Sequence, residues 1–122
     1  MEASDNDEFG IDPQRARELV ESGEARLIDV REPHEWEAGR IPGAEHIQLQ
    51  ALTARAGEIE KHRMVIFQCH VGNRSALATE AFRSSGYDAY NLSGGIEAWV
   101  EQGLPIEPEG GKVVGSGLPS AD

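Results

Sequence analysis

Hydrophobic positions along this chain follow two different periods. Short apolar runs of the kind found in buried β-strands occupy residues 25–30, 44–49, 63–68 and 88–92. Around and between these runs, apolar residues recur three or four positions apart, which is the spacing of one face of a helix. The helical stripes are Ala16, Leu19 and Val20; Leu52, Ala56 and Ile59; Ala78, Ala81 and Phe82; and Ile96, Trp99 and Val100.

Capping residues support these helices. Asp12-Pro13 is a typical helix start, and Gly23, Gly86 and Gly103 stand where three of the helices should end. Residues 33–39 have room for one further helical turn. Strand and helix therefore alternate about four times along the chain. That alternation predicts an α/β fold, with a mostly parallel central sheet and helices on both of its faces.

The chain has 122 residues, which suits a single domain with a real core. We predict that residues 1–8 form a flexible acidic N-terminal arm and that residues 9–106 form the domain. Residues 107–122 are rich in Gly, Pro and Ser and have almost no apolar periodicity. They are predicted to form a flexible C-terminal tail that buries little surface.

Composition narrows the possible partners. The net charge is −11, so nucleic acid and anionic membrane surfaces, which need a basic footprint, are not expected partners. The densest apolar stretch, residues 64–67, is too short to span a bilayer. The N-terminus is acidic and unlike a signal peptide, and a single cysteine cannot form an internal disulfide. We therefore expect a cytoplasmic location.

The only cysteine, Cys69, directly follows the most convincing strand and precedes a helix. In an open α/β sheet, ligands bind at the carboxyl ends of the strands, where backbone N–H groups and a helix N-terminus stabilise a thiolate. Gly72 would let the loop curl tightly. Arg74 opposes the helix dipole unless an anion occupies the loop. A lone cysteine is usually a small core residue, but the position, the loop and Arg74 together favour a nucleophile.

Three motifs resemble the rhodanese (sulfurtransferase) family across residues 9–106. The first is Asp29-Val30-Arg31 followed by the run Gly-Arg-Ile-Pro-Gly-Ala at residues 39–44. The second is Cys-x-x-Gly-x-Arg-Ser at residues 69–75, and the third is Gly94-Gly95 ahead of Trp99. Each motif alone is weak, but their order and spacing are specific. The resemblance implies the rhodanese fold in a single domain.

The resemblance also implies a persulfide mechanism in which Cys69 takes sulfur from a donor such as thiosulfate and passes it to cyanide or a thiol. Residues 69–74 would form a cradle around the sulfur, and no cofactor is implied. Arg74 would hold the anionic donor, and Ser75 would bond within the loop or cap the helix. The residues expected to contact substrate are His70, Val71, Gly72, Asn73, Arg74, Ser75 and Arg31.

Some of these roles have alternatives. Arg31 is expected near the rim, where Glu35 could pair with it, and a buried bracing salt bridge is an equal alternative. Asp29 is expected to be structural, and Gly94 and Gly95 to form a close turn beside the cradle. His70 and Val71 replace more basic residues of strong thiosulfate enzymes, which leaves the donor open and keeps a protein donor or acceptor possible. The remaining histidines lack metal-ligand spacing, so no metal is expected.

Two other functions compete with sulfur transfer. Cysteine-dependent phosphatases and arsenate reductases also cradle an anion with Cys and Arg, but with five residues between them. Cys69 and Arg74 have four residues between them, which favours sulfur. A binding module or sulfur carrier without free turnover is the other alternative, although such domains usually lack the cysteine.

Overall fold

Five strands form a parallel sheet at the centre of the structure, a computed structural model that describes residues 7–117. The strands are β1 (Gly10–Ile11), β2 (Ala25–Asp29), β3 (Glu45–His46), β4 (Met64–Gln68) and β5 (Ala89–Leu92). Their order across the sheet is β1-β5-β4-β2-β3, and each neighbouring pair runs parallel. Strand β4 therefore lies in the middle of the sheet, and Cys69 follows its carboxyl end.

Within residues 7–117, four helices cover the sheet. They are α1 (Pro13–Glu21), α2 (Pro33–Ala38), α3 (Asn73–Ser84) and α4 (Gly95–Glu101). Asp12 caps α1 by accepting a hydrogen bond from the Gln14 N–H at 3.0 Å, as the Asp12-Pro13 start predicts. Among the described residues, no helix is both long enough and apolar enough to cross a bilayer.

Alternation along the strands builds a separate core on each face of the sheet. On one face, Ile28 and Phe67 pack with Ala78 and Phe82 of α3. Side chains from the intervening strand positions, with those of α1 and α4, form the other core: Leu27, Ile66, Leu92, Ala16, Leu19, Ile96 and Trp99. The predicted α/β fold, with a parallel sheet and helices on both faces, is confirmed.

The segment between β3 and β4 differs from its prediction. The strand predicted at 44–49 is only the two residues of β3, and the helix predicted through Leu52, Ala56 and Ile59 is wrong. Two 3-10 turns stand there instead, at Leu49–Ala51 and Ala56–Glu58. Leu52 and Ile59 are still buried, so the apolar spacing reflects core contacts, while Gly57 lowers the helical propensity between them.

Several residues of the C-terminal segment that was predicted to be a flexible tail contact the domain. Arg40 and Glu107 exchange two backbone hydrogen bonds of 2.8 Å, and the Lys112 N–H donates to the Ala38 carbonyl at 2.8 Å. Further along, Ser116 is buried. The segment is held mainly by backbone hydrogen bonds. Because every residue carries these backbone groups, such contacts produce no apolar periodicity in the sequence. Residues 118–122 lie outside the described part.

At the other end, residues 1–6 of the predicted acidic arm lie outside the described residues. Asp7 is anchored: its carboxylate accepts hydrogen bonds from Asn91 Nδ2 at 3.0 Å and from the Ser93 hydroxyl. The Asp7 carbonyl accepts from the Gly10 N–H. The folded part of the chain therefore begins at least as early as Asp7.

We now expect removal of residues 108–122 to destabilise the protein. The truncation deletes the Lys112–Ala38 bond and the packing of Val113 against the core. A hydrogen bond contributes about 0.5–1.5 kcal/mol to stability, so we expect the free energy of unfolding to fall by about 1–2 kcal/mol. Differential scanning calorimetry should then show a melting temperature lower by about 4–8 °C. A chain ending at residue 117 is the control, and an unchanged melting temperature after removal of 108–122 would restore the loose-tail prediction.

Candidate active site

The sulfur of Cys69 lies inside a ring of hydrogen-bond donors. Its Sγ accepts from the Gly72 N–H at 3.2 Å, from the Ser75 N–H at 3.4 Å and from the Ser75 hydroxyl at 3.3 Å. Cys69 itself is fully buried. Donors that converge on one sulfur stabilise negative charge on it more than a neutral thiol. The arrangement therefore suits a thiolate or an anionic persulfide.

Local backbone geometry explains why these donors converge. Gly72 caps α3 with a φ of 109°, a conformation that side-chain-bearing residues rarely adopt. This turn points the Gly72 N–H back at Cys69, and the first turn of α3 brings the Ser75 N–H to the same atom. The predicted cradle of residues 69–74 thus opens onto a helix N-terminus, where the positive end of the helix dipole also favours negative charge.

Backbone hydrogen bonds from the start of α4 hold the cradle in place. The Cys69 carbonyl accepts from the Ile96 N–H at 2.9 Å, and the His70 carbonyl accepts from the Glu97 N–H at 3.1 Å. This contact requires glycine at position 95, because a Cβ there would stand 2.4 Å from both carbonyl oxygens. Gly94 and Gly95 both have positive φ, and together they make the close turn that the sequence predicts beside the cradle.

Replacing Gly95 by alanine should therefore disturb the cradle. The added Cβ would collide with two backbone oxygens and also face an unfavourable φ of 63°. Gly103 is the matched control, since its φ is 82° and a Cβ there would meet no atom within 4 Å. We expect Gly103→Ala to cost about 1 kcal/mol and Gly95→Ala about 3 kcal/mol or more in urea unfolding. Equal costs for the two variants would show that the carbonyl contact does not constrain position 95.

Arg74 is held by a buried carboxylate. Its Nη1 and Nη2 donate to the two oxygens of Glu35 at 2.8 and 2.9 Å, and the Arg74 side chain is only 9% exposed. The sequence prediction had this guanidinium facing an anionic donor. In the structure the pair ties the first turn of α3 to α2, across the end of the sheet, so Arg74 makes a bracing contact, and its contact with a donor stays a prediction.

Glu35 is itself well supported. Its Oε1 also accepts from the Glu32 N–H at 2.8 Å. Burial alone would raise the pKa of the Glu35 carboxyl, but the bonds from Arg74 and from the Glu32 backbone outweigh burial and lower that pKa below its ordinary value. The carboxylate is therefore ionised under the conditions in which the protein would act, and the pair with Arg74 is a true ion pair.

Arg31 does not stand at the rim and does not pair with Glu35 directly. It is fully buried, and its Nη2 donates to Asp29 Oδ2 at 2.8 Å and to the Gly39 carbonyl at 2.8 Å. The Arg31 N–H donates to Asp29 Oδ1 at 3.0 Å, which confirms the structural role predicted for Asp29. Its bonds to Asp29 and Gly39 are the geometry of the buried bracing alternative, and contact between Arg31 and a donor stays a prediction.

The remaining predicted residues line the loop. His70 Nε2 lies 3.0 Å from Glu97 Oε1, so the imidazole is held against a carboxylate on α4. Val71 and Asn73 border a cavity on the outer side of the loop together with Gly72. Ser75 makes the hydrogen bond within the loop that the sequence predicts, directly to the Cys69 sulfur.

Two residues of the site were not singled out for these roles by the sequence. Glu35 holds Arg74, and Asn91 donates from Nδ2 to the Gly72 carbonyl at 3.2 Å. Asn91 stands near the carboxyl end of β5, next to β4 in the sheet. The sequence signal for Asn91 was its place near the end of a strand next to β4, because side chains at the carboxyl ends of neighbouring parallel strands lie close together.

Comparison with known proteins agrees with this geometry. A family model described as "Rhodanese-like domain" matches residues 12–102. A protein named "Sulfurtransferase" from Allochromatium vinosum is 38% identical over 97 residues, which cover 78% of this chain and 91% of that protein. The "Probable adenylyltransferase/sulfurtransferase MoeZ" of Mycobacterium tuberculosis is 37% identical over 99 residues, but the match spans only 25% of its length.

A solved structure shows the same fold. The crystal structure of a rhodanese-related protein from Thermoplasma volcanium superposes with a TM-score of 0.74 at 30% sequence identity, and the match covers 80% of this chain and 96% of that one. The cradle around Cys69, the parallel sheet and these similarities together assign the chain to the rhodanese-like domain family.

Proposed function

We propose that the protein is a sulfurtransferase that carries sulfur on Cys69 as a persulfide. The observation that carries the proposal is the convergence of the Gly72 N–H, the Ser75 N–H and the Ser75 hydroxyl on one buried sulfur. The similarity to a named sulfurtransferase over 91% of that protein's length supports the same class of reaction.

The proposed cycle has two displacement steps. The Cys69 thiolate attacks the outer sulfur of a donor such as thiosulfate, the S–S bond of the donor breaks, and sulfite leaves with the electron pair. Cyanide or a thiolate then attacks the terminal sulfur of the Cys69 persulfide. The S–S bond of the persulfide breaks, and the Cys69 thiolate is regenerated while thiocyanate or a new persulfide departs. The three donors would stabilise the charge on sulfur in both resting states.

Loop length separates this chemistry from phosphate or arsenate chemistry. The residues between Cys69 and Arg74 number four, and both Arg74 terminal nitrogens are bound to Glu35. A tetrahedral oxyanion would need a wider ring of donors and an arginine turned toward it. A single sulfur atom attached to Sγ needs neither, so sulfur fits the cradle better.

Intact-mass spectrometry tests the proposal. The protein is first treated with cyanide to remove any sulfur already bound to Cys69. It is then incubated with thiosulfate, or with mercaptopyruvate if thiosulfate loads poorly. We expect a gain equal to one sulfur atom and its complete loss on renewed cyanide treatment. Hydrolysis of an aryl phosphate or reduction of arsenate without sulfur uptake would favour the phosphatase or arsenate reductase alternative. No covalent change and no turnover with any of these substrates would favour a binding module.

The physiological donor and acceptor belong to the same proposal. Small molecules and protein persulfides are both compatible with a cradle at the carboxyl end of β4. The relative named "Probable adenylyltransferase/sulfurtransferase MoeZ", which this chain matches over 25% of its length, is named for sulfur transfer as well as adenylyl transfer. We propose a sulfane-sulfur donor and a thiophilic acceptor as the two partners.

A further inference from the structure

The Gly72 N–H donates to the Cys69 sulfur, and its direction depends on the backbone angles of Gly72. Gly72 is the N-cap of α3, with a φ of 109° and a ψ of −6°. Glycine has no side chain that could cap the helix, and its backbone turns more freely than that of any other residue. A contact from outside the loop would therefore steady this N–H against the sulfur.

Asn91 makes a contact of this kind. Its Nδ2 donates to the Gly72 carbonyl at 3.2 Å, and the Ala76 N–H donates to the same carbonyl at 3.1 Å. The carbonyl is thus held from β5 on one side and from α3 on the other. Because it accepts from two donors, the planar peptide groups on either side of Gly72 have less freedom to turn, and one of these groups carries the Gly72 N–H.

The place of Asn91 in the sheet is unusual for a polar residue. Asn91 is paired with Phe67 in the register of β5 and β4, so its side chain lies on the face of the sheet that α3 covers. Ala89, two positions earlier in β5, belongs to the core on that face, and Asn91 itself is only 4% exposed. An amide in such a place costs free energy unless its N–H groups are bonded, which an apolar side chain would avoid.

Asp7 orients the Asn91 amide. Asp7 Oδ1 accepts from Asn91 Nδ2 at 3.0 Å, and Asp7 Oδ2 accepts from the Ser93 hydroxyl. The two acceptors of Nδ2 fix the amide orientation, because a flipped amide would set its oxygen against a carboxylate and a carbonyl. A chain of contacts therefore runs from Asp7 through Asn91 and Gly72 to the sulfur of Cys69.

We propose that Asn91, oriented by Asp7, is a positioning residue for sulfur transfer, which holds Gly72 so that the Gly72 N–H stays on the Cys69 sulfur. The inference rests on the proposed persulfide chemistry. The Gly72 N–H stabilises the Cys69 thiolate that attacks the donor, and it is one of the three donors to that sulfur. Because the buried Asn91 acts through Gly72, its loss should slow the chemical step and leave donor binding unchanged.

Asn91→Leu is the variant that tests this role. Leucine has nearly the size and shape of asparagine but no N–H group. Both acceptors keep a second donor in the variant, since the Gly72 carbonyl still accepts from Ala76 and the Asp7 carboxylate still accepts from Ser93. No acceptor is left without a bond, so we expect Asn91→Leu to fold.

Single-turnover loading provides the first measurement. Thiosulfate is added, and the gain of one sulfur atom is followed by rapid quenching and intact mass. Asn91→Leu should lower the rate constant at saturating thiosulfate about threefold, less than the complete loss of a bond to a charged group would. The thiosulfate concentration that gives half of this rate should not change.

Tyr87→Phe is the matched control, because it also removes one bond of 3.2 Å from a side chain to a carbonyl, that of Ala56, away from the cradle. A decrease confined to Asn91→Leu supports the proposal. An unchanged rate constant in Asn91→Leu, or an equal decrease in both variants, would overturn it. A higher half-saturating concentration with an unchanged rate constant would also overturn it, because Asn91 would then act on donor binding.

Asp7→Ala is the second variant, and it changes a partly exposed position. It removes the group that orients the amide but leaves Asn91 in place, so the same rate constant should fall by a smaller factor. A larger decrease than in Asn91→Leu would mean that Asp7 acts by another route and would overturn the proposed chain of contacts. If Asn91→Leu does not fold, an unchanged rate constant in Asp7→Ala overturns the proposal.

Nuclear magnetic resonance of isotopically labelled protein tests the contact without sulfur chemistry. Asn91→Leu should shift the Gly72 amide proton upfield and speed its exchange with solvent, because its bond to sulfur is loosened. The Ser75 N–H donates to the same sulfur from within α3 and is the internal control. Equal changes at Gly72 and Ser75, or no change at either, would overturn the positioning role. A parent protein that never loads sulfur would contradict the proposed function, whereas changes confined to Gly72 would still support the contact.

Discussion

Replacing Cys69 by serine should abolish sulfur loading and lower turnover of thiosulfate with cyanide by at least about a thousandfold. The serine hydroxyl stays protonated at neutral pH, and it has no neighbouring base among the three groups that face position 69. Those groups, two backbone N–H groups and the Ser75 hydroxyl, stabilise an anion and do not remove a proton. The measurement is intact mass after thiosulfate treatment, together with kcat/KM for thiocyanate formation.

A graded control comes from Ser75. Ser75→Ala removes one of the three contacts to the sulfur but leaves the Ser75 N–H and the Gly72 N–H in place. We expect this variant to load sulfur and to lose about tenfold in kcat/KM, in line with one hydrogen bond to a charged group. Both variants should melt close to the parent temperature. Sulfur uptake by Cys69→Ser would show that another group carries the sulfur and would remove Cys69 from the mechanism.

The geometry of the loop around Cys69 could be predicted from the sequence because it depends on the local order of residues. Cys69 follows an apolar run, Gly72 permits the positive φ, and the helix begins at Asn73, so the backbone donors are fixed within a few residues. The same holds for Gly94 and Gly95, whose place before a helix predicted a close turn. Local constraints of this kind can be read from one chain.

Contacts between distant segments could not be predicted in the same way. Glu35 and Arg74 are 39 positions apart, and the sequence around them does not indicate that Glu35 pairs with Arg74 instead of Arg31. The packing of Lys112 against Ala38 depends on backbone groups that every residue carries. The run from Leu52 to Ile59 shows a third limit, since two 3-10 turns can bury the same positions as a helix.

Breaking the Glu35–Arg74 pair should have a large effect on the stability of the fold. Arg74→Ala should destabilise the protein by about 3–5 kcal/mol, because it leaves the Glu35 carboxylate buried without its cation. The Glu35 side chain is fully buried, so its carboxylate depends on Arg74 and not on bulk water for its stabilisation. Urea unfolding followed by circular dichroism measures the loss. Replacing both residues together, as Glu35→Leu with Arg74→Met, should recover part of it, since a buried ion pair can be exchanged for apolar contacts.

The exposed pair Arg55–Glu58 provides the comparison. Arg55 also donates from two nitrogens to its carboxylate, but both side chains are about half exposed. Arg55→Ala should therefore leave the unfolding transition nearly unchanged. Two results would separate bracing from substrate binding at position 74. Lost stability with weakened use of every donor indicates that Arg74 braces the cradle through Glu35. Unchanged stability with a raised KM for thiosulfate alone would instead mean that the guanidinium leaves Glu35 to hold the anionic donor.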